Sequence, residues 1–113
     1  MIIRLGIETN EKNLANAMLG SHQVSTGDTV VVPGGASLEL QGAAGGKSFD
    51  VPSVLQFILH TSAQLELGLF TNWLYDMVKS KNVRSITINR RIVTEVTSEG
   101  IRQVLEEEIK SSR

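Results

Sequence analysis

The sequence of 113 residues contains no cysteine, and its formal net charge is only −1. A chain without cysteine has no disulfide scaffold, no thiolate metal ligand and no cysteine nucleophile. A net charge so close to zero creates no global field that would attract nucleic acid, an anionic membrane or a basic partner, although local patches stay compatible with it. The lack of thiols fits a reducing compartment, and we expect a cytoplasmic protein.

The first residues do not have the pattern of a secretory signal peptide, because a brief apolar alternation soon gives way to charged residues. Hydrophobic residues make up 41% of the chain and charged residues 20%, as is ordinary for a globular protein. The length suits one hydrophobic core. We therefore expect residues 1–113 to form a single domain.

Local patterns predict an α+β fold. Period-two alternation and turn signals predict strands at residues 2–8, 29–32, 37–41, 83–88 and 91–96. Caps and apolar spacing predict a short helix before Gly20, a long helix over residues 51–80 and a final helix after Thr97. The resulting order is β-α-β-β-α-β, as in a ferredoxin-like unit, followed by an extra hairpin strand and a C-terminal helix.

The longest apolar stretch covers residues 51–78 and is long enough to suggest a membrane span. Polar side chains interrupt it, among them His60, Glu66 and Asp76. A carboxylate in the middle of such a segment costs about 2.5–3.5 kcal/mol on insertion scales, so we expect no membrane span. The prediction is one long buried helix, with a bend at Gly68 because glycine weakens a helix.

This predicted helix is apolar around nearly its whole circumference in the turns that follow Val54. A small domain covers one side of a helix with its sheet and rarely both sides. The excess favours self-association or docking of another protein, and complete burial within the chain is the alternative. Aromatic side chains dominate such contacts. The candidate anchors of the interface or core are Phe57, Phe70, Trp73, Leu74 and Met77.

A basic segment follows the predicted helix. Five cations fall within thirteen residues that contain no acid: Lys79, Lys81, Arg84, Arg90 and Arg91. Three interpretations stay open: solvated structural charge, a binding surface for an acidic protein, and a nucleic-acid interface. The scarcity of aromatic side chains for base stacking counts against nucleic acid. We keep nucleic-acid binding as the alternative function.

No catalytic or metal-binding pattern is recognisable. His22 and His60 are the only histidines, and neither has a partner at metal-ligand spacing. Residues 42–48 look like a phosphate-binding loop, but three residues separate the first glycine from Gly-Lys-Ser where the motif needs four. Phosphate binding through Lys47 is therefore a third, weaker class. We expect a protein that is not an enzyme and carries no cofactor or metal.

The segment Leu-Phe-Thr-Asn-Trp-Leu-Tyr-Asp at residues 69–76, with Val-Lys-Ser-Lys at 78–81 and Ile-Thr-Ile-Asn at 86–89, resembles small bacterial conflict and defence-system components of the effector-associated constant component family. The resemblance covers residues 50–96. The chain departs from the family pattern at Asn89-Arg90-Arg91, where a glycine-containing turn is usual, and in its terminal helix. The resemblance implies a non-enzymatic adaptor or regulator and transfers no catalytic residue.

Together these features predict a bacterial protein-interaction domain that forms oligomers or docks on another protein. An adaptor, regulator, inhibitor or immunity-type component would each fit.

Overall fold

The computed structural model describes residues 1–11, 13–45, 53–62 and 64–112. Within them the chain forms six strands and three helices. The strands are β1 (Ile2–Thr9), β2 (Thr29–Val32), β3 (Ala36–Gly45), β4 (Ser53–His60), β5 (Val83–Ile88) and β6 (Arg91–Ile92). The helices are α1 (Leu14–Leu19), α2 (Leu67–Val78) and α3 (Ser98–Ser111).

The strands form one antiparallel sheet in the order β2-β3-β4-β1-β5-β6. Strands β4 and β1 lie at its centre, and eight residues of each pair along their full length, from Ile2 opposite His60 to Thr9 opposite Ser53. The β2–β3 and β5–β6 pairs are hairpins, so β2 and β6 form the two edges. The first strand of the chain thus pairs with a strand from its middle at the centre of the sheet.

The fold has two layers, because the strands bury only one of their two faces. Along β1 the side chains of Ile3, Leu5 and Ile7 are buried, while those between them are exposed or half-buried. The buried side chains join those of all three helices in one core, and α2 contacts both α1 and α3. The other face carries no helix in the described residues, and we call it the helix-free face.

The prediction of one long helix over residues 51–80 is wrong. Residues 53–60 form the central strand β4, and α2 begins only at Leu67. Leu55, Phe57 and Leu59 point into the core, whereas Gln56 between them is exposed. Because β4 lies inside the sheet, its outward positions also include apolar residues. The alternation of polar and apolar residues along β4 is therefore weak, and its sequence resembles that of a buried helix.

This correction changes the predicted topology. The first six elements are β-α-β-β-β-α, and the strand order differs from a ferredoxin-like sheet. The α+β class is confirmed. Strand β3 extends to Gly45, so the first part of the predicted connector at residues 42–48 belongs to the sheet. Lys47 and the rest of that connector lie outside the described residues. No helix in the described part of the chain is long and apolar enough to cross a bilayer.

Several local predictions are confirmed. Gly20 ends α1 in the left-handed conformation, with φ 67°. The Oγ1 atom of Thr97 accepts a hydrogen bond from the Gly100 N–H at 3.0 Å and caps α3. Asn89 and Arg90 form the two-residue turn between β5 and β6, with φ 50° and 72°. Positive φ at both central positions is the geometry of a type I′ hairpin turn.

Candidate functional site

The helix-free face is a mixed polar and apolar surface whose rows follow from the strand pairing. One row crosses the sheet from Val31 through Ser37 and His60 to Ile2. In the next row, Ile58 of β4 lies between Arg4 of β1 and Glu39 of β3. The row after it crosses from β3 to β6 and consists of Gly42, Gln56, Gly6, Thr87 and Ile92. The face therefore alternates uncharged, charged and aliphatic side chains over all six strands.

Exposed apolar side chains concentrate on this face. Among the described residues, five large apolar side chains are mostly exposed: Met1, Ile2, Val31, Leu69 and Ile92. Three of these lie on the helix-free face, where Val31 is 83%, Ile92 65% and Ile2 57% exposed. Only Leu69 belongs to the helix layer. Most of the largely exposed apolar side chains of the described residues thus lie on the helix-free face.

A depression of about 210 Å³ lies on this face above the centre of the sheet. Its floor is the row of Gln56, Gly6 and Thr87. A Cβ atom at Gly6 would lie 2.5 Å from the Thr87 Oγ1 atom, so any larger residue would crowd Thr87 and fill the floor. A glycine inside a strand commonly marks a place where another group approaches the backbone. The missing side chain at Gly6 therefore creates the depression.

Two arginines line the depression, Arg4 from β1 and Arg90 from the β5–β6 turn. The turn is tied to β1 by Asn89: its Oδ1 atom accepts from the Arg4 N–H at 2.8 Å, and its N–H donates to the Arg4 carbonyl oxygen at 2.8 Å. Its Nδ2 atom also donates to Glu108 of α3 at 3.1 Å. These bonds fix the backbones that carry both guanidinium groups.

Neither of these arginines has a neutralising partner in the described part of the chain, where no carboxylate oxygen lies within 4.0 Å of Arg4 or Arg90. The other polar side chains lining the depression, Gln41, Gln56 and Thr87, are uncharged. Among the described residues, the lining of the depression therefore contains two cations and no carboxylate, on a protein whose net charge is −1.

The predicted basic segment does not form one patch. Lys79 pairs with Asp76 at 3.1 Å, and Arg91 contacts Glu107 at 2.7 Å and Glu108 at 3.4 Å. Hydrogen bonds with Glu107 and Glu108 raise the pKa of the Arg91 guanidinium above its ordinary value. These two cations are thus locally compensated.

The other three members of the segment separate. Arg84 is exposed on β5 and does not line the depression, while Lys81 lies near α1, in a hollow that it shares with Asn16 and His22. The Lys81 carbonyl oxygen accepts a hydrogen bond from the buried Thr9 hydroxyl at 2.6 Å. Only Arg90 reaches the depression, where it meets Arg4, which the sequence analysis did not single out. The one signal for Arg4 was its outward position in the alternation of β1.

The predicted apolar anchors lie in or beside the chain's own core. Phe57, Phe70 and Leu74 are at most 2% exposed. Of the two roles that the sequence allowed, core or interface, these three side chains therefore have the core role. Trp73 and Met77 are half-buried on α2 and pack against the core. The rings of Phe70 and Trp73 lie 5.9 Å apart between centroids. A contact of any of these residues with a partner stays a prediction.

His60 lies on β4 rather than on a helix, and its Nε2 atom is 2.9 Å from the Glu39 Oε1 atom. Ser37 is opposite His60 on β3, which brings a serine, a histidine and a glutamate together on the helix-free face. The hydrogen bonds found for the described residues include none between Ser37 and His60. The trio therefore lacks the nucleophile-to-base contact that serine catalysis uses.

Metal ligands do not converge anywhere in the described ranges: no group of three or more histidine, aspartate or glutamate side chains could hold an ion there. His22 is exposed in the loop after α1, where its carbonyl oxygen accepts a hydrogen bond from the Asn16 amide at 2.6 Å. The depression between Arg4 and Arg90 is thus the best-defined candidate site.

No protein-family model, curated protein or solved structure matches the chain. The resemblance to effector-associated constant components stays a prediction based on residues 69–89.

Proposed function

We propose that this protein is a non-enzymatic interaction domain that docks on a second protein or on another copy of itself through the helix-free face. The observation that carries the proposal is that three of the five mostly exposed large apolar side chains of the described residues lie on that face: Val31, Ile2 and Ile92. A sheet face that no helix of the described residues covers, and that carries exposed apolar side chains, offers a surface on which a further layer can pack. An adaptor, regulator, inhibitor or immunity-type component of a bacterial system would use such a surface.

The dimensions of the face suit this role. Six strands at about 4.8 Å spacing span about 24 Å, and eight-residue strands such as β1 are about 26 Å long. Even with its shorter edge strands, such an area is of the same order as the roughly 800 Å² that each partner contributes to a standard protein interface. A partner on this face would complete a three-layer arrangement in which both sides of the sheet are covered.

The proposal is tested by charge substitutions at matched exposed positions. Val31→Glu and Ile92→Glu place a carboxylate on the helix-free face, and Leu69→Glu places one at a comparably exposed site on α2. For the wild type and Leu69→Glu we expect one of two results. Either light scattering shows self-association, or affinity capture from the native host retains a specific protein. Both face variants should lose that association.

The control separates docking from general solubility, because all three variants change net charge equally. A wild type that is monomeric at high concentration and retains no protein would contradict the proposal. So would an association that only Leu69→Glu abolishes, since the binding surface would then lie on the helix layer.

Nucleic-acid binding is the second candidate, and Arg84 and Arg90 are the members of the predicted basic segment that favour it. Binding through phosphates weakens steeply with salt, roughly in proportion to the number of phosphates contacted. A single-stranded oligonucleotide whose affinity falls with salt, and falls again in Arg84→Gln and Arg90→Gln, would support this function over protein docking.

A further inference from the structure

We propose that the depression at Gly6 recognises a carboxylate side chain presented by an acidic segment of the partner protein. This inference rests on the proposed docking function and specifies its chemistry. The occupant is a polypeptide in which glutamate or aspartate is flanked by aliphatic residues. The carboxylate would lie between Arg4 and Arg90, and the aliphatic residues would lie on the apolar side chains around them.

The charge distribution favours an anionic group in the depression. In the described part of the molecule, Lys79 and Arg91 have carboxylate partners but Arg4 and Arg90 do not. The planar guanidinium group offers several donors in a geometry that fits a carboxylate, and such charge-assisted hydrogen bonds are stronger than neutral ones. The amides of Gln41 and Gln56 supply further donors at the same place.

The backbone of Arg90 is held in a conformation that arginine rarely adopts. Its φ is 72°, in the left-handed region where glycine is the usual residue of a type I′ turn. A side chain in this region costs free energy that glycine would avoid, and such local strain is characteristic of functional positions. The turn therefore has a charged side chain beside the depression at a position where glycine would make the fold more stable.

The surroundings favour a peptide carboxylate over a nucleic acid. Glu8 and Glu39 lie on the same face, in rows on either side of the depression, so the positive charge is confined to the depression. A single carboxylate fits this confined charge, whereas a continuous phosphate backbone would also pass the two glutamates and be repelled by them. The aromatic side chains of the described residues belong to the core or to α2, so none of them on this face could stack on a base. The nearby aliphatic side chains of Val54, Ile58 and Ile92 suit a peptide.

The test uses the full chain labelled with ¹⁵N and two peptides that differ only in charge. The first is acetyl-Val-Glu-Val-Glu-Val-amide, and the second carries glutamine in place of both glutamates. Inorganic phosphate and a twelve-residue oligothymidylate are titrated separately. The variants are Arg4→Gln and Arg90→Gly, with Arg84→Gln and Arg102→Gln as controls, since both control arginines are exposed and lie away from the depression.

We expect the glutamate peptide to shift the amide signals of Gly6, Thr87 and Arg90. The glutamine peptide should bind at least about tenfold more weakly, because the charge-assisted hydrogen bonds are lost. Arg4→Gln and Arg90→Gly should each weaken binding of the glutamate peptide about tenfold, and the controls should stay within about twofold. Arg90→Gly should do so with an unchanged or higher melting temperature, which excludes loss of folding as the cause.

Equal binding of the two peptides, absence of shifts around Gly6, or tighter binding of phosphate or the oligonucleotide than of the glutamate peptide would overturn the inference. These results are distinguishable from failure of the docking function. A partner that is lost in Val31→Glu and Ile92→Glu but retained in Arg4→Gln and Arg90→Gly would leave docking in place and exclude carboxylate recognition.

Discussion

Leu69 and Leu74 lie on the same helix and have opposite surroundings. Leu74 is fully buried in the core, whereas Leu69 is 59% exposed. Their difference shows that residue type alone does not separate a core position from a surface position. Hydrophobicity is the same for two leucines, so only the direction in which the helix presents them separates a core role from an interface role.

We predict that Leu74→Ala lowers the free energy of unfolding by about 2–5 kcal/mol, because the lost contacts leave a cavity in a packed core. Leu69→Ala should change it by less than about 0.5 kcal/mol, because its side chain is mostly in solvent. Urea denaturation of both variants measures the difference. Comparable losses in the two variants would show that α2 is oriented differently from the structure.

At the same scale, one arginine of the candidate site was predictable and the other was not. Arg90 belonged to a visible basic segment, and the Asn89-Arg90 turn was predicted from the tolerance of asparagine for positive φ. Arg4 is a single cation in a strand, and nothing in its local sequence indicates that β1 is the neighbour of β5. Their proximity is a product of pairing between residues far apart in the chain.

At the scale of elements, the success of prediction followed the strength of local signals. The β5–β6 turn and the Thr97 cap were predicted correctly because each depends on a few adjacent residues. Strand β4 was not, because the apolar run continues from it almost to the end of α2 and no proline or glycine separates them over residues 53–67. Such a run fits a central strand or a buried helix equally well until its pairing partners are known.

The first turns of α2 and α3 each contain one glycine, and we predict opposite effects of alanine at the two positions. At Gly68 the one atom of the described residues that a Cβ atom would meet is the Arg102 Nη1 atom, at 3.8 Å, so Gly68→Ala should raise the free energy of unfolding by up to about 1 kcal/mol. At Gly100 a Cβ atom would collide with the main-chain carbonyl oxygen of Glu95. Gly100→Ala should therefore lower it by about 1–3 kcal/mol.

Thermal denaturation of the two glycine variants provides the measurement, with the wild type as reference. A stabilising Gly100→Ala would mean that the turn before α3 differs from the structure. A destabilising Gly68→Ala would mean that the start of α2 is packed more closely than its surroundings indicate.

At the scale of the whole molecule, the sheet joins segments that are distant in sequence. β1 pairs with β4 on one side and β5 on the other, so the first nine residues pair with residues that lie about half a chain away or further. The order of the strands depends on which strand faces can be buried together in one core. The sequence of a single strand does not contain this information. The α+β class was predictable from element types, but the topology was not.

This topology predicts the pattern of amide hydrogen exchange. The amides of β1 and β4 have pairing partners on both sides and lie over the core, so we expect the slowest exchange there. The edge strands β2 and β6 should exchange faster. Exchange followed by NMR measures this, and chemical shifts of residues 53–60 report strand or helix directly. Helical shifts in that segment would contradict the central position of β4.

The chain has a single tryptophan, Trp73, which lies in the helix layer next to Phe70. Its emission should report on loosening of the helices from the sheet, and hence on global unfolding. The sheet separates the indole from the depression at Gly6, so occupancy of the depression should leave intrinsic fluorescence almost unchanged. Unchanged tryptophan emission during a titration is therefore the result expected of a ligand that binds on the helix-free face. Screening for such ligands requires a fluorescent reporter introduced on that face.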